Sequence, residues 1–164
     1  MSYKPSSNCT KLIKKFIPCK LSAYKFMGQL KIGYRTDANF ANEVTTMKIN
    51  DKTSLKNEEE ATKLLEEVLN KKYTPFTVNL LNNTGLKFNQ NEFDALLAYN
   101  YIYGTVNEVL ENNKDKTAIA NFILIKGQKW EEVKKEGIGN TQDIVSYGKE
   151  IRETIKNLFE GKSF

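Results

Sequence analysis

The chain has 164 residues and an apolar content of 40%, which is enough for one domain with a hydrophobic core. No apolar run approaches the roughly 18 residues that a membrane-spanning helix needs. Lysines split the apolar pairs near the N-terminus, so the sequence predicts neither a secretory signal peptide nor insertion into a membrane.

The absence of histidine restricts the available chemistry. It excludes nucleophile systems that rely on a histidine base, as well as the commonest zinc ligand, and leaves carboxylates, lysines and tyrosines. Cys9 and Cys19 lie ten residues apart, which is neither a metal-binding nor a redox spacing, and we expect two small buried thiols. The sequence therefore predicts no cofactor and no metal site.

Charge is distributed unevenly along the chain. Residues 1–36 contain eight basic side chains and no carboxylate, whereas the other 128 residues contain 17 basic and 20 acidic side chains. The whole positive excess therefore belongs to the N-terminal segment. Such an asymmetry favours an acidic partner, and a solvated basic surface is the alternative interpretation.

The first third of the chain is predicted to form a small sheet after one helix. Residues 1–8 are polar and predict a flexible arm, and Thr10–Phe16 has the apolar spacing of a short helix. Pro18 ends that helix. A hairpin is predicted to pair Lys20–Phe26 with Leu30–Tyr34, and a third strand is predicted near Val44–Ile49.

Helices are predicted from residue 57 onward. Asn57 caps an amphipathic helix that we expect to end at Lys72, with Glu60 at its third position. The remaining predicted helices are Pro75 to about Leu81, Asn89–Gly104, Val106–Leu110, Thr117 to about Lys126, a short helix opened by Trp130 and broken at residues 137–139, and residues 141 or 142 to Phe159.

The segment Asn89–Gly104 is the most informative of these. Its apolar residues cover most of the circumference of a helix, which is typical of a buried helix. Asn89 and Glu92 have the spacing of a capping box, and Gly104 can end the helix. We therefore expect a central core helix in an α+β fold whose strands gather at one end.

Four segments together resemble the phage-type lysozymes, the endolysins. They are Lys11–Phe16, the pair Leu21–Lys25 and Ile32–Tyr34, Ser54–Leu65, and Asn89–Gly104 with its Asn-Gln-x-Glu-Phe-Asp-Ala-Leu run. The resemblance implies a single lysozyme-like domain over residues 1–164. It divides into the arm 1–8, a small sheet lobe 9–56, a connecting helix 57–72 and a helical lobe 73–164, with a cleft between the lobes.

The catalytic positions depart from the family pattern. The resemblance implies a glutamate at the position of Ile17 and an aspartate at the position of Phe26. After Gly33-Tyr34 the family continues Gly-His-Thr, so either Thr36 matches that threonine or Asp37 takes its place. Glycosidic hydrolysis usually needs two carboxyl groups, and neither isoleucine nor phenylalanine supplies one. We therefore interpret the chain as a catalytically inactive member of this fold, with Thr36 and Asp37 as a possible residual site.

Three functions follow from this interpretation. The first is a structural or assembly part of a phage particle or tail, located in the virion or host cytoplasm and bound to other virion or assembly proteins through the basic segment 1–36. The second is a peptidoglycan-binding module that does not cut, with Lys25, Arg35 and Tyr34 as candidate binding residues and the tyrosines as platforms for sugar rings. The third is an active hydrolase with relocated carboxylates. Nucleic-acid binding by the basic segment is a fourth, minor interpretation; no motif for it is present, so DNA and RNA are not the expected partners.

Overall fold

The computed structural model describes residues 2–111, 115–137 and 142–164, and the side chains of all of these except 130–137 and 142–147. It has the predicted α+β architecture, with a three-stranded antiparallel sheet at one end and helices filling the rest. The elements are α1 (Ser7–Phe16), β1 (Lys20–Phe26), β2 (Gln29–Gly33), β3 (Thr36–Asp37), α2 (Ala38–Val44), α3 (Glu58–Val68), a π-helical turn (Leu69–Tyr73), α4 (Thr74–Asn82), α5 (Gln90–Tyr103), α6 (Val106–Leu110), α7 (Lys116–Gly137) and α8 (Gln142–Phe159).

Helix α5 is the predicted central helix. The Asn89 side chain accepts a hydrogen bond from the Glu92 backbone amide at 2.9 Å, and the Glu92 carboxylate accepts one from the Asn89 amide at 2.8 Å. Gly104 has φ +75°, the left-handed conformation that ends the helix. Because its residues are buried all round, including Phe93 and Leu97, α5 has elements packed on every side.

The sheet confirms the predicted hairpin but not the predicted third strand. Phe26 pairs with Gln29 across a two-residue turn, in which Met27 and Gly28 both have positive φ, as tight hairpins favour. The third strand is Thr36–Asp37, and the prediction of a strand near Val44–Ile49 is wrong. Val44 is instead the last residue of α2, which the Asp37 carboxylate caps by accepting a hydrogen bond from the Phe40 amide at 3.0 Å. Residues 45–49 are irregular, and the Asn42 side chain takes both backbone hydrogen bonds of Ile49, at 2.7 and 3.0 Å.

The connecting helix α3 begins as predicted, but it ends at Val68, and helical backbone of other types continues past the predicted end at Lys72. Asn57 caps α3 by accepting a hydrogen bond from the Glu60 amide at 2.9 Å. The helical backbone does not stop at Lys72, because a π-helical turn carries it directly into α4. Pro75 lies in the first turn of α4, where its missing N–H costs little. The division of the chain at residues 56 and 72 into lobes and a connecting helix stays a prediction.

Helix α7 is longer than predicted. The predicted break between Lys126 and Trp130 does not occur, and one helix runs from Lys116 to Gly137. Gly127 serves close packing, since a Cβ atom there would lie 2.9 Å from the Arg152 side chain of α8. The predicted break at residues 137–139 falls mostly outside the described residues, and the last helix occupies residues 142–159 as expected.

The prediction of a loose arm is wrong for residues 2–8. The Tyr3 ring stacks on the Phe93 ring with centroids 5.1 Å apart, and its hydroxyl accepts a hydrogen bond from the Phe88 amide at 3.1 Å. Ser6 donates to the Asp94 carboxylate from its backbone amide, at 2.9 Å, and from its hydroxyl. Asp94 is fully buried on α5, so these donors compensate a buried carboxylate and attach the arm to the core.

The Ser6→Ala variant tests this attachment. It removes both the cap of α1 and a hydrogen bond to a buried carboxylate, and we expect it to lower the free energy of unfolding by about 2 kcal/mol in urea denaturation. The control is Ser7→Ala at the adjacent exposed position, which should change stability by less than about 0.5 kcal/mol. Equal effects of the two variants would contradict the proposed attachment.

Candidate functional site in the cleft between the lobes

A cleft of about 430 Å³ separates the sheet lobe from the helical lobe. Its sheet-lobe wall comes from the β1–β2 hairpin, from Arg35 in the turn between β2 and β3, and from helix α2. Its helical wall comes from the π-helical turn, the first turn of α4 and the end of α5. The lining residues are Phe26, Met27, Gln29, Lys31, Arg35, Phe40, Lys72, Tyr73, Phe76, Asn100, Tyr101, Ile102, Tyr103 and Gly104.

The charged side chains among the described lining residues of the cleft are all cationic. Lys31, Arg35 and Lys72 line it, and no described lining residue is an aspartate or a glutamate. This composition differs from that of a glycosidase site, which is built around a pair of carboxyl groups.

Phe26 lies at the end of β1, on the sheet-lobe wall of the cleft. The central carbon of the Arg35 guanidinium lies 4.2 Å from the centroid of the Phe26 ring, within the range of a cation–π interaction. Arg35 has φ +58°, a left-handed conformation that is unusual for a residue with a long side chain. The position at which the resemblance implies a catalytic aspartate therefore carries an aromatic ring covered by a cation.

Lys31 and Asp37 form an ion pair beside the cleft. The lysine Nζ and the carboxylate Oδ2 are 3.6 Å apart, and their side chains are only 12% and 9% exposed. Burial lowers the pKa of Lys31, and the charge of Asp37 offsets part of that shift. Because Asp37 also caps α2, its carboxylate already has two roles in the fold.

Aromatic rings connect the cleft surface to the core. Phe40 packs edge-on against Tyr73 at 5.7 Å between centroids, and Tyr73 packs against Tyr101 at 5.2 Å. Phe76 extends this surface and is 55% exposed, which is unusual for so large an apolar side chain. The Lys72 Nζ lies 4.9 Å from the Phe40 centroid and also pairs with Glu43 at 2.8 Å.

Tyr101 joins the two lobes at the base of the cleft. Its hydroxyl donates a hydrogen bond to the Tyr34 backbone oxygen and lies 3.2 Å from the Thr36 hydroxyl. Burial, with a smaller contribution from Tyr73, raises the pKa of Tyr101 well above its ordinary value. The phenol therefore stays protonated and holds the segment after β2 against α5.

The cleft contains only part of the predicted site. Ile17 is 2% exposed and follows α1 within the core, whereas Phe26 lines the cleft, so only one of the two positions with an implied carboxylate is among the described lining residues. Thr36 is buried beneath Tyr101, and Asp37 stands behind Lys31. Of the candidate binding residues Lys25, Arg35 and Tyr34, only Arg35 is among the described lining residues. Of the tyrosines predicted as sugar platforms, Tyr101 and Tyr103 also line the cleft.

Lys25 and Tyr34 lie elsewhere. Lys25 is exposed on β1 next to buried Phe26, because successive strand residues point to opposite faces. The Tyr34 hydroxyl donates to the Glu58 carboxylate at 2.8 Å, and burial together with this hydrogen bond raises the pKa of Tyr34 to about 12. Of the tyrosines predicted as sugar platforms, Tyr99 and Tyr103 are core residues with 0% and 3% exposure.

Sequence reasoning missed Lys31, Lys72, Phe40 and Phe76. A signal existed for two of them, since Lys72 and Phe76 are four residues apart and would share one face of a continuous helix. The predicted helix end at Lys72 hid this relation.

A second basic feature lies on α1 and is named here the N-terminal basic surface: Lys11, Lys14 and Lys15. All three are exposed and line an open groove of about 600 Å³ together with Glu66 and the C-terminal Phe164. Within the described part of the chain, none of the three forms an ion pair. Each instead lies 5.3 to 5.7 Å from the centroid of an aromatic ring.

Neither a metal cluster nor a membrane span is found in the described parts of the chain. No group of three or more carboxylates and thiols there is arranged to hold a metal ion. None of the described helices is both long and apolar enough to cross a bilayer. Cys9 is fully buried, and burial raises the pKa of its thiol, whereas Cys19 is only half-buried.

The buried phenols predict a loss of stability in alkali. The pKa values of Tyr34, Tyr73 and Tyr101 are raised by burial above the ordinary value near 10, so the unfolded chain releases these protons first. Stability should therefore fall as the pH rises above about 10. For Tyr34 the fall should level off near pH 12. Urea midpoints between pH 8 and 12 measure this effect. In the Tyr34→Phe variant the urea midpoint should fall less steeply with pH between pH 10 and 12 than in the wild type. An unchanged slope would contradict the raised pKa of Tyr34.

Comparison with known proteins shows that the fold is lysozyme-like. No protein-family model and no curated protein sequence matches the chain. Among solved structures, the muramidase domain of SpmX from Asticaccaulis excentricus aligns with a TM-score of 0.65 and 20% identity, over 96% of this chain and 98% of that one. An endolysin from the Escherichia coli O157:H7 phage FAHEc1 aligns with a TM-score of 0.62 and 20% identity, over 97% of this chain and 94% of that one. The P22 lysozyme mutant L86M aligns with a TM-score of 0.62 and 20% identity, over 97% of this chain and 99% of that one.

Proposed function

We propose that this protein is a lysozyme-fold protein that does not hydrolyse glycosidic bonds and that serves as a structural or assembly component of a phage particle or tail. The observation that carries the proposal is the cleft: its described lining contains three cations and no carboxylate. A positioned acid alone contributes about 10²–10⁴-fold to such a reaction. A cleft without carboxyl groups lacks both this acid and the second carboxylate, which would act as the base or nucleophile.

Asp37 and Glu43, the two carboxylates that pair with lysines of the cleft lining, are held by other interactions. Asp37 caps α2 and pairs with buried Lys31, so protonating it to act as an acid would cost both interactions. Glu43 pairs with Lys72 through both of its oxygens, at 2.8 and 3.0 Å, on the outer surface of α2. An active hydrolase with relocated carboxylates would have to overcome these interactions.

The assembly role draws on the N-terminal basic surface. Most other lysines with described charge contacts have a glutamate partner, as Lys63, Lys71 and Lys156 do. Lys11, Lys14 and Lys15 have aromatic neighbours instead and keep their charge available for a partner. Two proteins that share the fold are a phage endolysin and P22 lysozyme, which is consistent with a phage origin of this chain. An acidic face of another virion subunit is the partner that this surface would bind.

Incubation with purified peptidoglycan tests the absence of hydrolysis. The wild-type protein should release no reducing ends above a blank without protein, while an active phage lysozyme should release them under the same conditions. The decisive variant is Asp37→Asn, which retains a side chain able to cap α2. Release that disappears in this variant would overturn the proposal and assign the acid to Asp37. Sedimentation with peptidoglycan but without release would favour the glycan-binding alternative.

Charge variants test the N-terminal basic surface. Replacing Lys11, Lys14 and Lys15 by glutamine should lower the salt concentration that elutes the protein from immobilised poly-glutamate, because counterion-dependent contacts are removed. The matched control replaces Lys52, Lys63 and Lys71, which are also exposed, so both triple variants have the same net charge. The control should elute close to the wild type. Equal shifts would indicate a response to net charge and would contradict a specific surface.

A further inference from the structure

Two neighbouring helices carry opposite charges. Helix α1 has three lysines, which form the N-terminal basic surface, and no acidic residue. Helix α3 has five glutamates and one lysine. The two helices are in contact, so a positive strip and a negative strip adjoin on the protein surface. We propose that these strips join two copies of the chain into a two-fold dimer, in which α1 of each copy faces α3 of the other.

This inference rests on the proposed function, because it identifies the acidic subunit that the N-terminal basic surface binds. That subunit is a second copy of the same chain, and its acidic face is α3. The interlobe cleft takes no part in the contact.

The open groove beside α1 shows that the two strips adjoin. Lys11, Lys14 and Lys15 line this groove of about 600 Å³ together with Glu66 of α3, and all four side chains are exposed. No ion pair joins Glu66 to any of these lysines, and within the described parts of the chain Glu66 has no other charged partner. Charges of both signs therefore line one groove and remain available to another molecule.

Glu59 extends the negative strip along α3. It precedes Glu66 by seven residues, so the two glutamates lie on one face of the helix, two turns apart. Lys63 lies between them and pairs with Glu59 at 3.6 Å, and both of these side chains are mostly exposed. An ion pair this exposed contributes little to stability, so Glu59 can exchange Lys63 for a lysine of another molecule.

The mixed charge of this surface favours a second copy over a uniformly negative partner. A nucleic acid would place phosphates against Glu59 and Glu66, and a wholly acidic protein face would place carboxylates there, so both would meet like charges. A second copy turned by 180° about an axis between α1 and α3 places its glutamates on the lysines and its lysines on the glutamates. Each strip then meets the opposite charge, which is the self-complementarity that a two-fold interface requires.

Two properties of the dimer follow from this arrangement. A two-fold interface uses the same patch on both copies, so assembly stops at two, and each substitution changes two contacts. The half-buried Phe164 ring adds apolar surface to the groove, 5.7 Å from the Nζ atom of Lys11. The charged groups are exposed, so salt screens their attraction, and the dimer should dissociate at high ionic strength.

Sedimentation velocity of the full chain tests the dimer. At about 20 mM NaCl and protein concentrations up to about 500 μM, we expect a species of twice the chain mass whose fraction grows with concentration. Its dissociation constant should rise about tenfold or more at about 500 mM NaCl. A chain that stays monomeric throughout, a series of species larger than the dimer, or a dimer that does not respond to salt would overturn the proposal.

Charge reversal locates the interface. One variant replaces the three lysines of the N-terminal basic surface by glutamate, so that both strips are negative. The other replaces Glu59, Glu66 and Glu67 by lysine, so that both strips are positive. All six positions are exposed, so both variants should keep the far-UV circular dichroism of the wild type. Each variant alone should dimerise about tenfold or more weakly than the wild type, because both strips then face like charges.

An equimolar mixture of the two variants is the decisive sample. Each strip of one variant then meets the opposite charge on the other, so the mixture should form a heterodimer at least as readily as the wild type forms its dimer. A mixture that stays monomeric would overturn the assignment of α1 and α3.

A control variant separates the interface from net charge. Lys52, Lys87 and Lys129 are exposed and do not line the groove, and their replacement by glutamate changes the net charge as much as the α1 variant does. This control should dimerise like the wild type, and weakening equal to that of the α1 variant would overturn the assignment. Hydrolysis is measured separately by the release of reducing ends, so failure of the dimer and failure of the proposed function remain distinguishable.

Discussion

The burial of nearly all of α5 is the constraint on which the rest of the structure depends. A buried helix must place each of its polar side chains against a partner, and in α5 these partners lie on different elements. Asp94 holds the N-terminal arm, Asn100 reaches Thr77 on α4, and Tyr101 reaches the segment after β2. Glu92 caps the helix and also pairs with Lys116 of α7 at 2.9 Å. These hydrogen bonds orient the surrounding elements around a core that apolar contacts stabilise.

The cleft follows from this arrangement. Tyr101 fixes the segment between β2 and β3, which in turn places Arg35 over Phe26 and Asp37 behind Lys31. The geometry that holds the two lobes together is therefore lysozyme-like, while the chemistry of the cleft wall is not that of a carboxylate pair. The cations and aromatic rings among the described lining residues do not supply the pair of carboxyl groups that glycosidic hydrolysis usually needs.

Local signals predicted the parts of the fold that have local causes. The capping box at Asn89 and Glu92, the cap at Asn57 and the hairpin turn at Gly28 all depend on residues close in sequence, and each was predicted from them. The errors arose where distant contacts decide the outcome. Ser6 is held by Asp94, 88 residues away, and Gly127 packs against Arg152 instead of ending a helix.

The site was predicted only in part for the same reason. Arg35 was expected from its place after the Gly-Tyr pair, but Lys31, Lys72 and Phe76 come together only when the hairpin faces the start of α4. The resemblance implies carboxylates of one site at the positions of Ile17 and Phe26, yet Ile17 is enclosed in the core and only Phe26 is among the described lining residues of the cleft. Strand alternation and helix packing separate residues that a linear comparison places together.

The proposed absence of glycosidic hydrolysis is tested most directly by mass spectrometry of the soluble fraction after a long incubation of peptidoglycan with a stoichiometric amount of the protein. We expect no muropeptides above those of a blank without protein. Muropeptides that accumulate with time and protein concentration would contradict it, and would show that a carboxylate outside the described cleft lining supplies the acid.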